Sequence, residues 1–196
     1  MDTQPQFKLI NTRFQIAFFF SFFYFLFASC VSDNIVTEQP NNDTPPSEEQ
    51  TDNLPPDNPA PTFTLQTSDG QNINLSDYQG KVVTLFFFGY GCPPCKAVAP
   101  SIQEQLATPY ESNDDYAILG LDVWDGNSAG VDAFKSATEV RFPLLLEASS
   151  IARDYETTYD RLVVVDKDGG IVFLGTQNAM GDLESVKNLV ISLLGS

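Results

Sequence analysis

The sequence has no histidine and few basic residues, and these absences narrow the kinds of site it can carry. Its 196 residues include 10 Lys and Arg against 26 Asp and Glu, which gives a net charge of −16 at pH 7. A zinc site built on a cysteine pair needs two further ligands, and a chain with no histidine and only 3 cysteines offers few. No basic stripe is present, which argues against nucleic acid as a partner.

Much of the acidic excess lies in residues 31–59, which contain no Lys or Arg and are rich in Pro and Asn. The acidic residues there are Asp33, Glu38, Asp43, Glu48, Glu49, Asp52 and Asp57. Such a segment cannot bury enough apolar surface to fold, so we predict an extended acidic linker. We therefore divide the chain into a leader at residues 1–29, a linker at residues 30–59 and one domain at residues 60–196.

The leader has the parts of a secretory signal. Lys8 and Arg13 precede a phenylalanine-rich apolar run at residues 16–27, which is followed by small residues and Cys30. The five residues that end at Cys30 are similar to a bacterial lipobox, in which Cys30 would be lipidated and become the mature N-terminus. One alternative is an uncleaved membrane anchor over residues 14–31, and another is Cys30 as a free thiol. Either form of anchor would tether the domain outside the cytoplasm.

Two cysteines three residues apart lie where an apolar strand meets a helix. Residues 82–88 have strand character, and a glycine-containing turn leads from them to Cys92-Pro93-Pro94-Cys95-Lys96. If Pro93 is the first helical residue, Cys92 lies at the helix N-terminus and Cys95 one turn further on the same face. The free N–H groups and the helix dipole then stabilise a thiolate at Cys92. We predict Cys92 as the attacking sulfur, Cys95 as the resolving sulfur, and added positive potential from Lys96.

Two other interpretations of the cysteine pair are an inert disulfide and half of a zinc site. The Pro93-Pro94 spacer at a predicted helix start disfavours the first, and the shortage of further ligands disfavours the second. We predict no metal and no other cofactor.

The order and spacing of motifs over nearly all of residues 60–196 resemble those of TlpA/ResA-type thiol–disulfide oxidoreductases, redoxins of the AhpC/TSA branch of the thioredoxin superfamily. The motifs that carry the resemblance are Ala60-Pro61-Thr62-Phe63-Thr64-Leu65, Asp69-Gly70, Leu75-Ser76-Asp77-Tyr78, Gly80-Lys81-Val82-Val83, Cys92-Pro93-Pro94-Cys95-Lys96, Pro100, Phe142-Pro143-Leu144-Leu145-Leu146 and residues 163–172. The resemblance implies a thioredoxin-like α/β fold, with a central mixed sheet flanked by helices, and a redox-active Cys92–Cys95 disulfide.

Three positions depart from the family pattern. Members usually have Trp immediately before the first cysteine, where this chain has Gly91, and many carry a buried acid three residues after the second, where it has Val98. Counting back six residues from Asp166 puts Asp160 where the family has a cis-proline, whose exposed backbone groups help to dock a partner. Asp160 is predicted either to lie near the sulfurs, as a proton relay or a modifier of their pKa, or to form a solvated pair with Arg161.

Two residues at the end of the next strand are further candidates. Ligands gather at the carboxyl ends of strands in open α/β sheets, so Trp124 could lie near Cys92 and shape a partner groove, or it could simply pack a loop. Asp122 is a weaker candidate for the missing proton acceptor.

The patterns along the domain predict the following elements. They are an early β-hairpin at 63–65 and 72–75, a strand at 82–88, a helix at 93–107 kinked by Pro100, a strand at 116–123, a helix at 131–138, a strand at 142–146, a helix at 149–155, strands at 162–165 and 171–174, and a helix at 183–194.

We predict an envelope-tethered, monomeric thiol–disulfide oxidoreductase, with its direction left open. By analogy with the family, its partners would be disulfide-containing envelope proteins and a membrane-side thiol electron donor. One alternative is a peroxiredoxin-like peroxidase, for which Gly89 stands where the usual Thr would be and Arg161 would have to activate peroxide. Another is a non-catalytic binding module that keeps the fold.

Overall fold

The computed structural model describes residues 58–195. The predicted signal peptide, the lipidation of Cys30 and the linker up to residue 57 lie outside these residues and stay predictions. Within the described part of the chain, no helix is long and apolar enough to cross a membrane.

The fold is built on one five-stranded sheet with helices on both faces. The strands are β1 (Thr64–Gln66), β2 (Asn72–Asn74), β3 (Val82–Phe88), β4 (Tyr116–Asp122), β5 (Leu144–Leu145), β6 (Arg161–Val165) and β7 (Ile171–Leu174); the helices are α1 (Pro93–Ile102), α2 (Ser128–Thr138), α3 (Ser149–Asp154) and α4 (Ala179–Leu194). The sheet order is β5-β4-β3-β6-β7, in which β3 runs parallel to β4 and antiparallel to β6. The predicted α/β class with a central mixed sheet is confirmed.

Strand β3 lies at the centre of the sheet, and every one of its residues is buried. Phe86 and Phe88 face the core that also holds both cysteines and parts of α1, α2 and α4, whereas Leu85 and Phe87 face a second core that includes α3 residues. Burial on both faces explains why the strand is apolar at every position except Thr84 instead of alternating with polar residues.

The early hairpin is a separate two-stranded sheet that packs beside the main one. Leu65 pairs with Ile73 across β1 and β2. The N–H of Leu146 donates to the carbonyl of Gln66 at 2.8 Å, which attaches the hairpin next to β5. The predicted N-terminal β-hairpin extension is therefore present.

The described chain begins beside the turn between β6 and β7. The N–H of Ile171 donates to the carbonyl of Asn58 at 2.8 Å. Val165, the last residue of β6, pairs with Val83 near the start of β3. Cys92 follows the other end of β3. The described chain therefore enters the domain at the end of the strands opposite to the cysteines.

The helix after the cysteines changes its winding along its length. α1 runs through Pro100 to Ile102, a π-helical turn covers Gln103–Ala107, and a 3₁₀ turn covers Thr108–Tyr110. The predicted helix over 93–107 is thus present, but its irregularity begins at Gln103, three residues after Pro100, instead of at the proline.

The last helix begins four residues before the predicted start at Leu183. Asn178 caps it by accepting a hydrogen bond from the N–H of Gly181 at 3.2 Å. The ends of the other predicted elements differ from the structure by at most 3 residues.

Candidate active site

Cys92 and Cys95 form a disulfide at the N-terminus of α1, with 5.3 Å between their Cα atoms. Cys92 is the N-cap residue and Pro93 is the first helical residue, as the spacing predicts. The N–H of Cys95 donates to Cys92 Sγ at 3.1 Å. Both cysteines are 0% exposed, whereas the neighbouring residues Gly91, Pro93 and Pro94 are exposed.

The start of α1 provides the electrostatics that a reactive cysteine needs. Pro93 and Pro94 have no N–H, so the N–H of Cys95 and the positive end of the helix dipole are the groups that stabilise a thiolate at Cys92 once the disulfide is reduced. The Cys95 N–H that now points at Cys92 Sγ would then donate to a charged sulfur, which is the stronger kind of hydrogen bond.

Trp124, the chain's only tryptophan, lies against the turn that leads to Cys92. A Cβ atom placed on Gly89 would come within 2.3 Å of the indole ring, and one on Gly91 within 3.4 Å. The ring therefore rests directly on the backbone of this turn. The prediction that Trp124 lies near the cysteines matches its position; a role in partner binding stays a prediction.

Trp124 belongs to an aromatic cluster that we define as Tyr90, Trp124 and Tyr159. The ring of Trp124 makes edge contacts with Tyr90, 6.3 Å between centroids, and with Tyr159, 5.3 Å. Tyr90 and Trp124 are 37% and 44% exposed, and Tyr159 is half-buried. The cluster thus joins the turn before the cysteines to the loop before β6 and still presents aromatic surface to solvent.

The carboxylate of Asp122 is hydrogen-bonded to both of the loops that carry Tyr90 and Trp124. It accepts hydrogen bonds from the N–H groups of Tyr90 at 3.0 Å, Gly126 at 2.6 Å and Trp124 at 3.4 Å. Burial raises the pKa of Asp122, and these N–H bonds act in the opposite direction. Because its oxygens are engaged by backbone, Asp122 has a structural role here.

Asp160 lies at the entry to β6, at the same edge of the sheet as the disulfide. Arg161 pairs with Phe87, so Asp160 comes level with the last residue of β3. Its carbonyl accepts a hydrogen bond from the N–H of Ala179 at 3.0 Å, and Ala179 belongs to the buried cluster that holds both cysteines. Asp160 is only 7% exposed, and its Oδ1 is buried without a hydrogen-bond partner. The interpretation of Asp160 as half of a solvated pair is therefore wrong.

The backbone at Asp160 differs in kind from that of a proline loop. Its φ is +56°, in the left-handed region, whereas proline is held near −65°. None of the peptide bonds described between residues 58 and 195 is cis. Burial raises the pKa of Asp160; the N–H of Ala179 opposes this, and the nearby carboxylate of Asp182 raises the pKa further.

The remaining predicted site residues are placed as follows. Lys96 and Pro94 are exposed on the first turn of α1, and Val98 is buried in the core beneath the cysteines, where it supplies no proton acceptor. Arg161 is half-buried, and its Nε lacks a hydrogen-bond partner. Gly89 has no room for a threonine side chain while Trp124 occupies its present position. The electrostatic effect of Lys96 stays a prediction.

Tyr159 and Tyr90 are the site residues that the sequence did not reveal. Tyr159 lies in a loop 35 residues after Trp124, and nothing in its neighbourhood marks it as the contact. The two glycines that flank Tyr90 were the available signal, because a turn with no side chains on either side of an aromatic residue leaves room for another ring. Among residues 58–195, no group of three or more His, Cys, Asp or Glu side chains is arranged to hold a metal ion.

The sequence from residue 56 to residue 174 matches the model of the AhpC/TSA family. It is 29% identical over 120 residues to the thioredoxin-like protein YneN of Bacillus subtilis, covering 60% of this chain and 70% of YneN. It is 29% identical over 115 residues to the thiol-disulfide oxidoreductase ResA of Bacillus thuringiensis, covering 58% of this chain and 65% of ResA. A solved structure of a candidate protein disulfide isomerase from Bacteroides thetaiotaomicron is similar with a TM-score of 0.66 and 29% identity, over 72% of this chain and 91% of that one. The predicted thioredoxin-like fold is confirmed.

Proposed function

The chain belongs to the AhpC/TSA family and is related to thiol–disulfide oxidoreductases of the ResA type, and we propose that it exchanges disulfides with proteins of the cell envelope. Cys92 is the attacking sulfur and Cys95 the resolving one. The observation that carries this proposal is the position of Cys92: it caps α1, is bonded to Cys95, and receives the Cys95 N–H.

In the reduced protein, the Cys92 thiolate attacks one sulfur of a partner disulfide. A bond forms between Cys92 Sγ and that sulfur, the partner's S–S bond breaks, and the departing sulfur keeps the electron pair and takes up a proton. Cys95, once deprotonated, attacks Cys92 Sγ, which releases the partner's second thiol and forms the Cys92–Cys95 disulfide. The partner gains two electrons and two protons, and a thiol donor can return them to the chain by the same steps reversed.

Asp160 is the proposed acceptor for the proton of Cys95. Asp122 is a poor candidate since backbone N–H groups engage its oxygens, and Val98 cannot serve. Asp160 has a buried oxygen free of hydrogen bonds and a raised pKa, which makes its carboxylate the better base. The β3–β6 register and the bond to Ala179 support its placement on the side of the sheet that holds the cysteines.

The cellular setting is part of the proposal and depends on the leader. Lipidation of Cys30 would anchor the chain to a bacterial membrane, with the domain at residues 60–196 outside the cytoplasm. Its partners would be disulfide-containing envelope proteins and a membrane-side thiol electron donor, met by a monomeric domain.

The test is the redox equilibrium of the mature chain, with Cys30 replaced by Ser, against glutathione and dithiothreitol buffers, read by thiol alkylation and mass. We expect a reversible two-electron couple that is lost in Cys92→Ser. A potential near −270 mV would mark a reductant and one near −120 mV a donor of disulfides, on the scale set by known thioredoxin-fold proteins.

Two outcomes would contradict the proposal. Rapid consumption of hydrogen peroxide by Cys92, without exchange with a disulfide-bonded test protein, would favour the peroxidase. The absence of any reversible couple would leave a binding module.

A further inference from the structure

We propose that the aromatic cluster of Tyr90, Trp124 and Tyr159 is a docking surface for the partner segment next to its reactive cysteine, and that it selects a large apolar residue adjacent to that cysteine. The inference rests on the proposed function and adds to it the class of substrate sequence. Trp124 is the central residue of this surface.

The placement of Trp124 depends on the two glycines before Cys92. The turn carries glycine at both positions facing the ring, and any side chain at Gly89 would collide with the indole at 2.3 Å. The chain has no tryptophan at position 91, and the indole of Trp124 lies against that same residue. An aromatic ring thus lies against the residue before Cys92, although it comes from the loop after β4.

The surface is also held in place before any partner arrives. One carboxylate, that of Asp122, accepts from the backbone N–H groups of both Tyr90 and Trp124, so the two loops that carry the exposed rings share one anchor. The edge contact of Trp124 with Tyr159 fixes its other side. A surface arranged in advance loses less conformational entropy on binding than one that must form.

The identity of the bound segment follows from its covalent bond to Cys92. A partner sulfur must come within bonding distance of Cys92, which is itself fully buried, so the partner's chain must lie on the exposed residues around it. Consecutive Cα atoms are about 3.8 Å apart, so a residue next to the partner's cysteine lies within reach of Gly91 and of the ring beside it. Two partly exposed aromatic rings in edge contact bind apolar and aromatic side chains better than polar ones.

Docking of side chains also compensates for the absence of a proline backbone in the loop before β6. The left-handed backbone of Asp160 has the opposite sign of φ from proline, so this loop does not present the backbone of a proline loop. Tyr159, one residue earlier, offers its ring to Trp124 instead. Recognition of the partner segment therefore relies on the rings of the aromatic cluster.

The test uses the mature chain with Cys30→Ser and Cys95→Ser, in which Cys92 cannot be resolved. Two probes are prepared as mixed disulfides with thionitrobenzoate, Gly-Phe-Cys-Gly and Gly-Gly-Cys-Gly. The Cys92 thiolate attacks the peptide sulfur, a Cys92–peptide disulfide forms, and the thionitrobenzoate thiolate leaves with the electron pair and is measured by its absorbance. We expect the Phe probe to react about tenfold faster than the Gly probe, which corresponds to an aromatic contact of ordinary strength.

The decisive variants are made in that background. Trp124→Ala should bring the ratio of the Phe-probe rate to the Gly-probe rate to about one, and Trp124→Phe should keep part of the preference. Ile191→Ala, which removes an exposed apolar side chain from α4, is the matched control and should leave both rates unchanged.

Three results would refute the proposal that the aromatic cluster is a docking surface. They are equal rates for the two probes in the parent, an equal fall of both rates in Trp124→Ala, and an unchanged preference in that variant. A Cys92 that reacts with neither probe while Trp124 is intact would refute the proposed function as well, so the two failures are distinguishable. Circular dichroism of Trp124→Ala and Trp124→Phe verifies that a lost preference is not lost folding.

Discussion

Two buried aspartates lie at the same edge of the central sheet, and they differ in how their carboxyl groups are bonded. Asp122 ends β4 and accepts three backbone N–H groups, whereas Asp160 precedes β6 and keeps one oxygen buried without a partner. Burial raises the pKa of both. A shifted pKa alone would therefore not separate a structural carboxylate from a chemical one, but the hydrogen-bond partners do.

The comparison predicts opposite effects on stability when each carboxylate is removed. A buried carboxylate that satisfies backbone donors holds the fold, because its loss leaves those donors without partners. A buried carboxylate with an unsatisfied oxygen costs free energy in the folded state, and such a cost is tolerated where the group has a chemical task.

The largest expected effect is from Asp122→Ala. It leaves three N–H groups without their acceptor, and we expect a loss of about 3 kcal/mol in the free energy of unfolding. Urea denaturation measures this. Asp122→Asn, which keeps one accepting oxygen, should lose about half as much. The comparison would fail if Asp122→Ala were no more destabilising than Asp160→Ala.

Replacing a glycine in the turn that Asp122 anchors should have the next largest effect. Gly89→Ala places a methyl group 2.3 Å from the indole of Trp124 and should cost about 2 kcal/mol of unfolding free energy, whereas Gly91→Ala, at 3.4 Å, should change it by less than about 0.5 kcal/mol. Urea denaturation and the emission of the single tryptophan report both variants. Equal costs for the two would show that the ring does not rest on the turn as described.

The smallest expected effect has the opposite sign. Asp160→Asn keeps a residue that tolerates the left-handed backbone and removes a buried charge, so we expect the free energy of unfolding at neutral pH to rise by about 1 kcal/mol. If Asp160 takes up the proton of Cys95, the same change should slow release of the mixed disulfide while leaving the first attack by Cys92 unaffected. A variant less stable than the parent at neutral pH would refute this account.

The pH dependence of that difference follows from the raised pKa of Asp160. The folded state binds this proton more tightly than the unfolded state. The contribution of Asp160 to the free energy of unfolding therefore falls as the pH rises from the ordinary aspartate pKa of about 4 to the raised pKa of the folded state. The stability advantage of Asp160→Asn should therefore increase across that window and stay constant above it. Urea denaturation of both proteins at a series of pH values tests this, and a difference that does not vary with pH would count against it.

The elements around the cysteines were predictable because local chemistry determines them. A run of seven residues that is apolar except for Thr84 specifies a strand buried on both faces, and Pro93 directly after Cys92 marks the start of a helix. The start of α4 was not predicted, because Gly181 is a poor helix former, although Asn178 was a usable capping signal.

The surroundings of the disulfide were only partly predictable because they depend on contacts between distant segments. Counting from Asp166 located Asp160, but its burial and left-handed backbone come from the packing of α4 against β6. Strand-end reasoning placed Trp124 near the cysteines, but its contacts with Gly89 and Tyr159 require the β3–β4 and β3–β6 registers. These contacts form only when distant segments of the chain pack together, so no single stretch of the sequence shows them.

The bond between Asn58 and Ile171 locates the point at which the described chain enters the domain. This entry and the disulfide lie at opposite ends of β3, which are about 20 Å apart at the usual rise per residue. A segment joined to the domain through Asn58 therefore attaches at the end remote from Cys92, and at its point of attachment it leaves the face that carries the disulfide uncovered.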